Sequence, residues 1–270
     1  MKDTDIIAHR GASGEAPENT LSAIKLAWEQ GADGVEIDVQ LSKDGEIVVI
    51  HDENTARTGG VNRTVKDQTL KELKSIDAGS WKNERWHNEK IPTLSEVLNT
   101  VPAGKSVLIE VKCEPEIMPT LERVLAHSKP NHCRITICSF SLAVAQAARE
   151  HFSDHEILLI ANLNKIGASA PKLNKLIKTA TLNRLDGLSL CANSKAYAEI
   201  TKKVSSNALK LYVWTIDSVS AVQQIANLGV NGIITNCPEL LANKCNKRAI
   251  QTLYDLDNND NINPIADQSF

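Results

Sequence analysis

Short β-branched runs alternate with amphipathic helical stretches almost from one end of the chain to the other, and this alternation restricts the fold more than any other feature. The strand-like runs are IIAH (6–9), VEIDVQL (35–41), EIVVIH (46–51), VLIEVK (107–112) and ITICSF (135–140), then ILLIA (157–161), GLSLC (187–191), KLYVWTI (210–216) and NGIIT (231–235). Between them, stretches such as LSAIKLAWEQ (21–30) and SVSAVQQIANL (218–228) carry apolar residues at helical spacing and stop at Gly31 and Gly229. Glycine closes helices because it enters the left-handed conformation at no steric cost. Strand–helix–strand alternation builds parallel sheet. The 270 residues are enough for one eight-stranded α/β barrel, which takes about 250.

Nine strand-like runs are one too many for that barrel. VEIDVQL and EIVVIH are joined only by SKDG (42–45), too short for a parallel crossover and suited to a hairpin. Pairing across that turn with residue numbers summing to about 87 sets Glu36 opposite His51. The expectation is therefore a barrel with one irregular hairpin, forming a single domain over residues 1–247. Residues 53–92 interrupt the rhythm with a polar, glycine-containing excursion holding Trp81 and Trp86, long for a strand-to-helix connection. Residues 248–270 read as a polar tail. Its DLDNND segment lacks the glycine and terminal glutamate of a calcium loop.

Charge and composition remove several function classes. Thirty basic against 33 acidic residues leave a formal charge of −3, and aromatics make up 4%. That balance gives no basic footprint and no stacking platform for nucleic acid, nor a patch for anionic lipid. The longest apolar stretches fall far short of the roughly 18 residues of a membrane span, so no stable membrane insertion is expected. MKDTDIIAHRG has no apolar leader run, and six cysteines occur without a Cys-x-x-Cys pair. Reduced thiols in the cytoplasm are the expectation. The sequence sets no oligomeric state.

Four polar elements stand at strand-like ends: His9-Arg10-Gly11, Glu36-x-Asp38, His51-Asp52 and Glu110-x-Lys112. Barrel active sites are built from residues at the C-terminal ends of strands, so these elements converge on one mouth. The spacing of two puts Glu36 with Asp38, and Glu110 with Lys112, on one face of their strands. Inside a barrel, unpaired carboxylates cost several kcal/mol each, so three of them require a cation. Oxygen-only ligands suit Mg2+, Ca2+ or Mn2+. Arg10 and Lys112 beside that ion form a site for an anion, best a phosphate. Histidines 9 and 51 supply acid and base near neutral pH. Pro17, Asn19 and Thr20 read as the start of the helix at LSAIKLA, with Asn19 or Thr20 as its N-cap. Trp214, on an apolar strand, reads by default as core.

The segments HRGASGEAPENTLSAI and GADGVEIDVQLSKDGEIVVIHD, followed in order by RTVKDQTLKELKSIDAGSW, IPTLSEVL, LIEVK, CSFS, VWTID and NGIITNCP, resemble the glycerophosphodiester phosphodiesterase family over roughly residues 6–242. The resemblance implies a TIM (β/α)8 barrel of the phospholipase-C-like phosphodiesterase type, with a small insertion after the third strand that matches residues 53–92. It implies metal-dependent hydrolysis of a small-molecule glycerophosphodiester to an alcohol and sn-glycerol 3-phosphate. By position, the metal carboxylates fall on Glu36, Asp38 and Glu110, and the catalytic acid and base on His9 and His51. Phosphate-contacting cations fall on Arg10 and Lys112, and the pocket tryptophan on Trp214. Two positions depart from the family pattern. Thr235-Asn236 stands where Thr-Asp is usual, and Asp217 where the Trp-Thr strand usually reaches Asn. Neither touches the metal set, so activity is expected to survive, with rim contacts or alcohol preference affected.

The division of labour between the histidines, and attack by water or by the glycerol 2-hydroxyl, are not written in the residues. A second reading is a lysophospholipase D-type enzyme with an apolar lip at Trp81 and Trp86, and a third is a non-catalytic phosphodiester-binding protein. The excursion at 53–92 is expected to touch the alcohol through Arg57, Arg63, Trp81 and Trp86.

Overall fold

In the computed structural model, which describes residues 4–128, 133–167, 169–192 and 196–239, the strand-like runs close on themselves. The strands are β1 (Asp5–His9), β2 (Gly34–Leu41), β3 (Ile47–Val49), β4 (Ser106–Val111), β5 (Arg134–Ser139), β6 (Glu156–Asn162), β7 (Gly187–Cys191), β8 (Lys210–Val213) and β9 (Gly232–Thr235). Eight of them are parallel, in the order β1-β9-β8-β7-β6-β5-β4-β2, and a β1–β2 pairing shuts the ring. β3 is the exception, antiparallel to β2. This is the TIM barrel with one irregular hairpin that the alternation implied. The tail at 248–270, with its DLDNND segment, lies outside the described residues.

Two apolar layers hold the barrel. Inside, Ile7, Leu108, Cys138, Leu158, Ile160, Tyr212 and Ile234 form a plug. Outside, residues of opposite strand parity, such as Val35, Ile37 and Val39, pack beneath the helices. Period two along each strand feeds both layers at once. The first helix, Leu21–Glu29, buries Ala23, Ile24 and Ala27. Thr20 caps it, its hydroxyl accepting from the Ala23 amide, an interaction worth about 1 kcal/mol. Gln30 and Gly31 close it, with Gly31 at φ +84°.

The hairpin register differs from the expected one. Val39 faces Val49 and Leu41 faces Ile47, so paired numbers sum to 88. The ladder stops at Val39 because β1 and β4 already occupy Gly34–Glu36 from either side. Glu36 therefore faces His9 of β1 and Leu108 of β4, not His51. The run at 210–216 is also cut short. Past Val213 its amides cross from one neighbour to the other, Trp214 N–H bonding to Leu190 and Ile216 N–H to Ile234.

Residues 53–92 fold back on the hairpin rather than standing clear of it. Val65, Leu73, Ile76, Ala78 and Ile91 form a separate small core with Val48 and Ile50. Its helix Leu70–Ser75 begins with a capping box between Thr69 and Glu72. The segment rejoins the barrel where the Val49 amide donates to Pro92, 2.8 Å away.

Candidate active site

His9 ends β1, and the chain then turns sharply, with Arg10 at φ +55° and Gly11 at φ +78°. A Cβ on Gly11 would lie 2.5 Å from the Ala23 carbonyl carbon, so only glycine lets the turn pass the first helix. The turn aims Arg10 back over the mouth. Its backbone N–H donates to Glu36 Oε2 at 3.0 Å, its Nη1 to Glu18 Oε1 at 2.8 Å, and its Nε lies 3.1 Å from Asp38 Oδ2.

Glu36 and Asp38 point inward from β2, and the register sets Asp38 beside Glu110 of β4. One carboxylate oxygen from each of the three comes within 4.8 Å of the others. Asp38 is fully buried and Glu36 only 4% exposed. Lys112 Nζ lies 2.8 Å from Glu110 Oε1 and 3.7 Å from Asp38 Oδ1. Burial raises the Glu36 carboxyl well above the usual range, and the charges of Asp38 and Glu110 push it the same way. Glu110 is raised by burial and by Asp38. Burial pulls the Lys112 ammonium down, but Glu110 and Asp38 outweigh it and raise its pKa.

Three carboxylates against two cations leave one negative charge in excess. Asp38 Oδ1 is also buried without a hydrogen-bond donor. Both observations fit a divalent cation held by oxygen ligands.

His51 sits on the loop just past β3. Its Nδ1 is 2.6 Å from Asp52 Oδ1, and Arg57 Nε donates to Asp52 Oδ2 at 2.7 Å. Hydrogen bonds from Arg57 outweigh burial and hold Asp52 down at about 2. Glu18 bridges Arg57 and Arg10, joining the two turns that carry the histidines. Burial, then the Arg10 charge, lowers the pKa of His9. His9, Arg10, Glu36, His51, Glu110 and Lys112 line one part of a cavity of about 330 Å³. Phe140, Asn162, Lys165, Ser189 and Trp214 line the rest. Trp214 meets Phe140 edge-to-face at 5.8 Å.

The sequence model of the glycerophosphoryl diester phosphodiesterase family matches residues 9–240. The chain belongs to that family. It is 36% identical over 256 residues to a glycerophosphodiester phosphodiesterase of Caldanaerobacter subterraneus, covering 90% of this chain and 98% of the relative. A Bacillus subtilis glycerophosphodiester phosphodiesterase is 30% identical, with 87% and 84% covered. Among solved structures, an Oleispira antarctica phosphodiesterase in complex with the product sn-glycerol-3-phosphate superposes with a TM-score of 0.77 at 28% identity, over 94% of this chain and 97% of that one. The Agrobacterium tumefaciens glycerophosphodiester phosphodiesterase gives 0.74 at 27%, over 88% and 99%.

In this member of the glycerophosphoryl diester phosphodiesterase family, the metal, histidine, phosphate and tryptophan positions, eight residues, meet at the mouth. Three others belong with them. Asn19 is not the N-cap. It is 3% exposed, at φ +60°, and its amide donates to Asp38 Oδ2 at 2.9 Å while its oxygen accepts from the Asp38 amide. Gln40 continues the inward series 36, 38, 40, and its Nε2 donates to the carbonyls of Ile50, His51 and Asp52. Asn236 meets His9, and it also meets Asp217, so the two departures from the family pattern touch each other.

The four residues of the excursion expected to touch the alcohol have partners within the protein. Arg57 is engaged by Asp52 and Glu18, and Arg63 by Glu72 and the Asp67 carbonyl. The Trp81 ring has Arg57 and Lys82 within about 6 Å of its centroid, and Arg85 lies 4.8 Å from that of Trp86. None of Arg57, Arg63, Trp81 and Trp86 lines the cavity.

Proposed function

We propose that this mouth hydrolyses glycerophosphodiesters to an alcohol and sn-glycerol 3-phosphate. The observation that carries the reading is a buried three-carboxylate cluster flanked by Arg10 and Lys112 in the same cavity as two histidines. Glu36, Asp38 and Glu110 would hold one divalent ion, of Mg2+, Ca2+ or Mn2+ type by their all-oxygen chemistry. When bound, such an ion polarises a phosphoryl oxygen as a Lewis acid. Lys112 has three donors, and the one given to Glu110 leaves others for a non-bridging oxygen. Arg10, braced by Glu18 and Asp38, stabilises charge on the same phosphoryl group. His9, whose protonated form is disfavoured by burial and by Arg10, accepts the proton of the attacking oxygen at Nε2. His51, oriented by Asp52 through Nδ1, delivers a proton to the departing alkoxide.

The substrate size follows from the cavity. About 330 Å³ is at the lower end of the ~300–1,000 Å³ of ligand sites, suited to glycerol, phosphate and a compact alcohol. The lysophospholipase reading is ranked second, because Trp81 and Trp86, its expected lip, are not among the residues lining the cavity. No described helix is long and apolar enough to cross a membrane. The cytoplasm is the compartment this reading favours, supported by free Cys113, Cys133, Cys138, Cys191 and Cys237.

The purified chain is expected to release glycerol 3-phosphate from glycerophosphocholine, to stop in EDTA and to recover when a divalent ion is returned. Lysophosphatidylcholine is expected to be turned over at least about tenfold more slowly, since its acyl chain outgrows a cavity of about 330 Å³. No release with Mg2+, Ca2+ or Mn2+ would overturn the reading, and faster turnover of the lysolipid would favour the second one.

A further inference from the structure

Asn236 offers its amide to two partners of opposite demand. On one side Asp217 Oδ2 lies 2.7 Å from Asn236 Nδ2, and Asp217 Oδ1 accepts from the Asn236 backbone N–H at 2.7 Å and from Thr235 Oγ1 at 2.9 Å. On the other side Asn236 Oδ1 lies 2.7 Å from His9 Nδ1 and 2.9 Å from Ser13 Oγ.

The two ends of the amide look alike in outline but not in chemistry. An ionised carboxylate only accepts hydrogen bonds, so the end facing Asp217 is the NH2 group. The end facing His9 is then the carbonyl, which also only accepts. Nδ1 of His9 must therefore carry the hydrogen. In a neutral imidazole that leaves the lone pair on Nε2, the nitrogen 4.0 Å from Glu36 Oε2.

We infer that Asp217 acts through Asn236 as a positioning pair that fixes His9 in its Nδ1-protonated tautomer, with Nε2 turned to the reacting oxygen. Asp217 is neither among the residues lining the cavity nor in the carboxylate cluster, so its influence on the reaction passes through the amide. The arrangement also explains how an amide serves beside a proton-accepting histidine. Left alone, an asparagine side chain can turn over and present its NH2 to Nδ1, which would move the ring hydrogen to Nε2 and remove the acceptor from the cavity. Asp217 forbids that flip. The inference rests on the phosphodiesterase reading for its kinetic consequence only, because the tautomer is a property of the resting protein.

The test is an exchange of the two side chains. Asn236→Asp sets two carboxylates against each other, and Asp217→Asn releases the amide to turn. Each single variant is expected to lower kcat about 10–100-fold, the range seen for groups that orient a reacting side chain, with KM changed little. The double exchange D217N/N236D restores one acceptor toward His9 and one donor between the pair, and is expected to recover to within about threefold of the parent, a coupling that independent sites do not show.

Nitrogen-15 shifts of histidine-labelled full-length protein, at mildly alkaline pH and with the His9 signal assigned by its loss in His9→Gln, report the tautomer directly. The parent is expected to show hydrogen on Nδ1 alone, and Asp217→Asn to show an Nε2–H population. An unchanged tautomer in Asp217→Asn, or a double variant as slow as the product of the two singles, overturns the inference. A parent protein without phosphodiesterase activity would leave the tautomer measurement as the deciding one.

Discussion

Glu36→Gln is expected to raise the melting temperature of the metal-free protein above that of the parent, and to remove the gain that a divalent ion gives. Glu36, Asp38 and Glu110 bring three buried carboxylate oxygens within 4.8 Å of one another, and two cations leave their charge unbalanced. The raised Glu36 pKa records the cost of ionising that group among its neighbours. Glutamine keeps the shape and still accepts from the Arg10 amide, but removes one of three mutually repelling charges. The same change weakens a hard-cation site that depends on charge, and kcat/KM is expected to fall by more than about 100-fold, beyond what losing a supporting hydrogen bond around a metal costs. Calorimetric scans with and without Mg2+, beside a titration of metal binding, read both halves. A variant that melts lower without metal and keeps the full gain with it would remove Glu36 from the metal site.

His51→Ala is expected to lower kcat by about 10²–10⁴-fold, the range for a lost proton-transfer group, with the fold intact. The imidazole is partly exposed, at 31% of its side-chain surface, and it is a member of neither apolar layer. The loop beneath it is held by Gln40 through three backbone carbonyls, so the truncation leaves its backbone in place. His9→Ala is expected to fall in the same range, and the double variant to lose less than the product, as for two groups that act in one transfer. Steady-state kinetics and circular dichroism on the three variants decide the matter. A His51→Ala enzyme within tenfold of the parent would take the proton from His51 and give it to another donor.

What the sequence made legible was whatever repeats with a fixed period. Alternation along β2 marked Glu36 and Asp38 as inward, and β4 did the same for Glu110 and Lys112. Gln40 carries the same parity and was open to the same argument, but an uncharged side chain in an apolar run raises no question of compensation. Asn19 was hidden for another reason. Its neighbours spell a helix start, and only the left-handed turn at φ +60° decides that Thr20 caps the helix while Asn19 turns to Asp38. Long-range pairings of this kind depend on which side chain a turn directs inward, and a linear reading does not contain that direction. The hairpin register failed by one residue because the ladder is set by competition with β1 and β4, not by the turn alone. The excursion at 53–92 was recognised as an excursion, but its scattered Val65, Leu73, Ile76 and Ile91 follow no single period, so their common destination on Val48 and Ile50 stayed invisible.

That small core predicts two levels of cooperativity. His9, Glu36, Asp38 and Glu110 stand on strands of the closed ring, whose opening means global unfolding. His51 stands on a loop whose footing is seven buried side chains, Val48, Ile50, Val65, Leu73, Ile76, Ala78 and Ile91, and a unit of that size opens locally at a fraction of the global free energy. Heat is therefore expected to reach His51 before it reaches the carboxylate cluster. Activity during slow warming is expected to decline ahead of the circular-dichroism transition and to return on cooling, the ring having kept its shape while one of the two histidines was away.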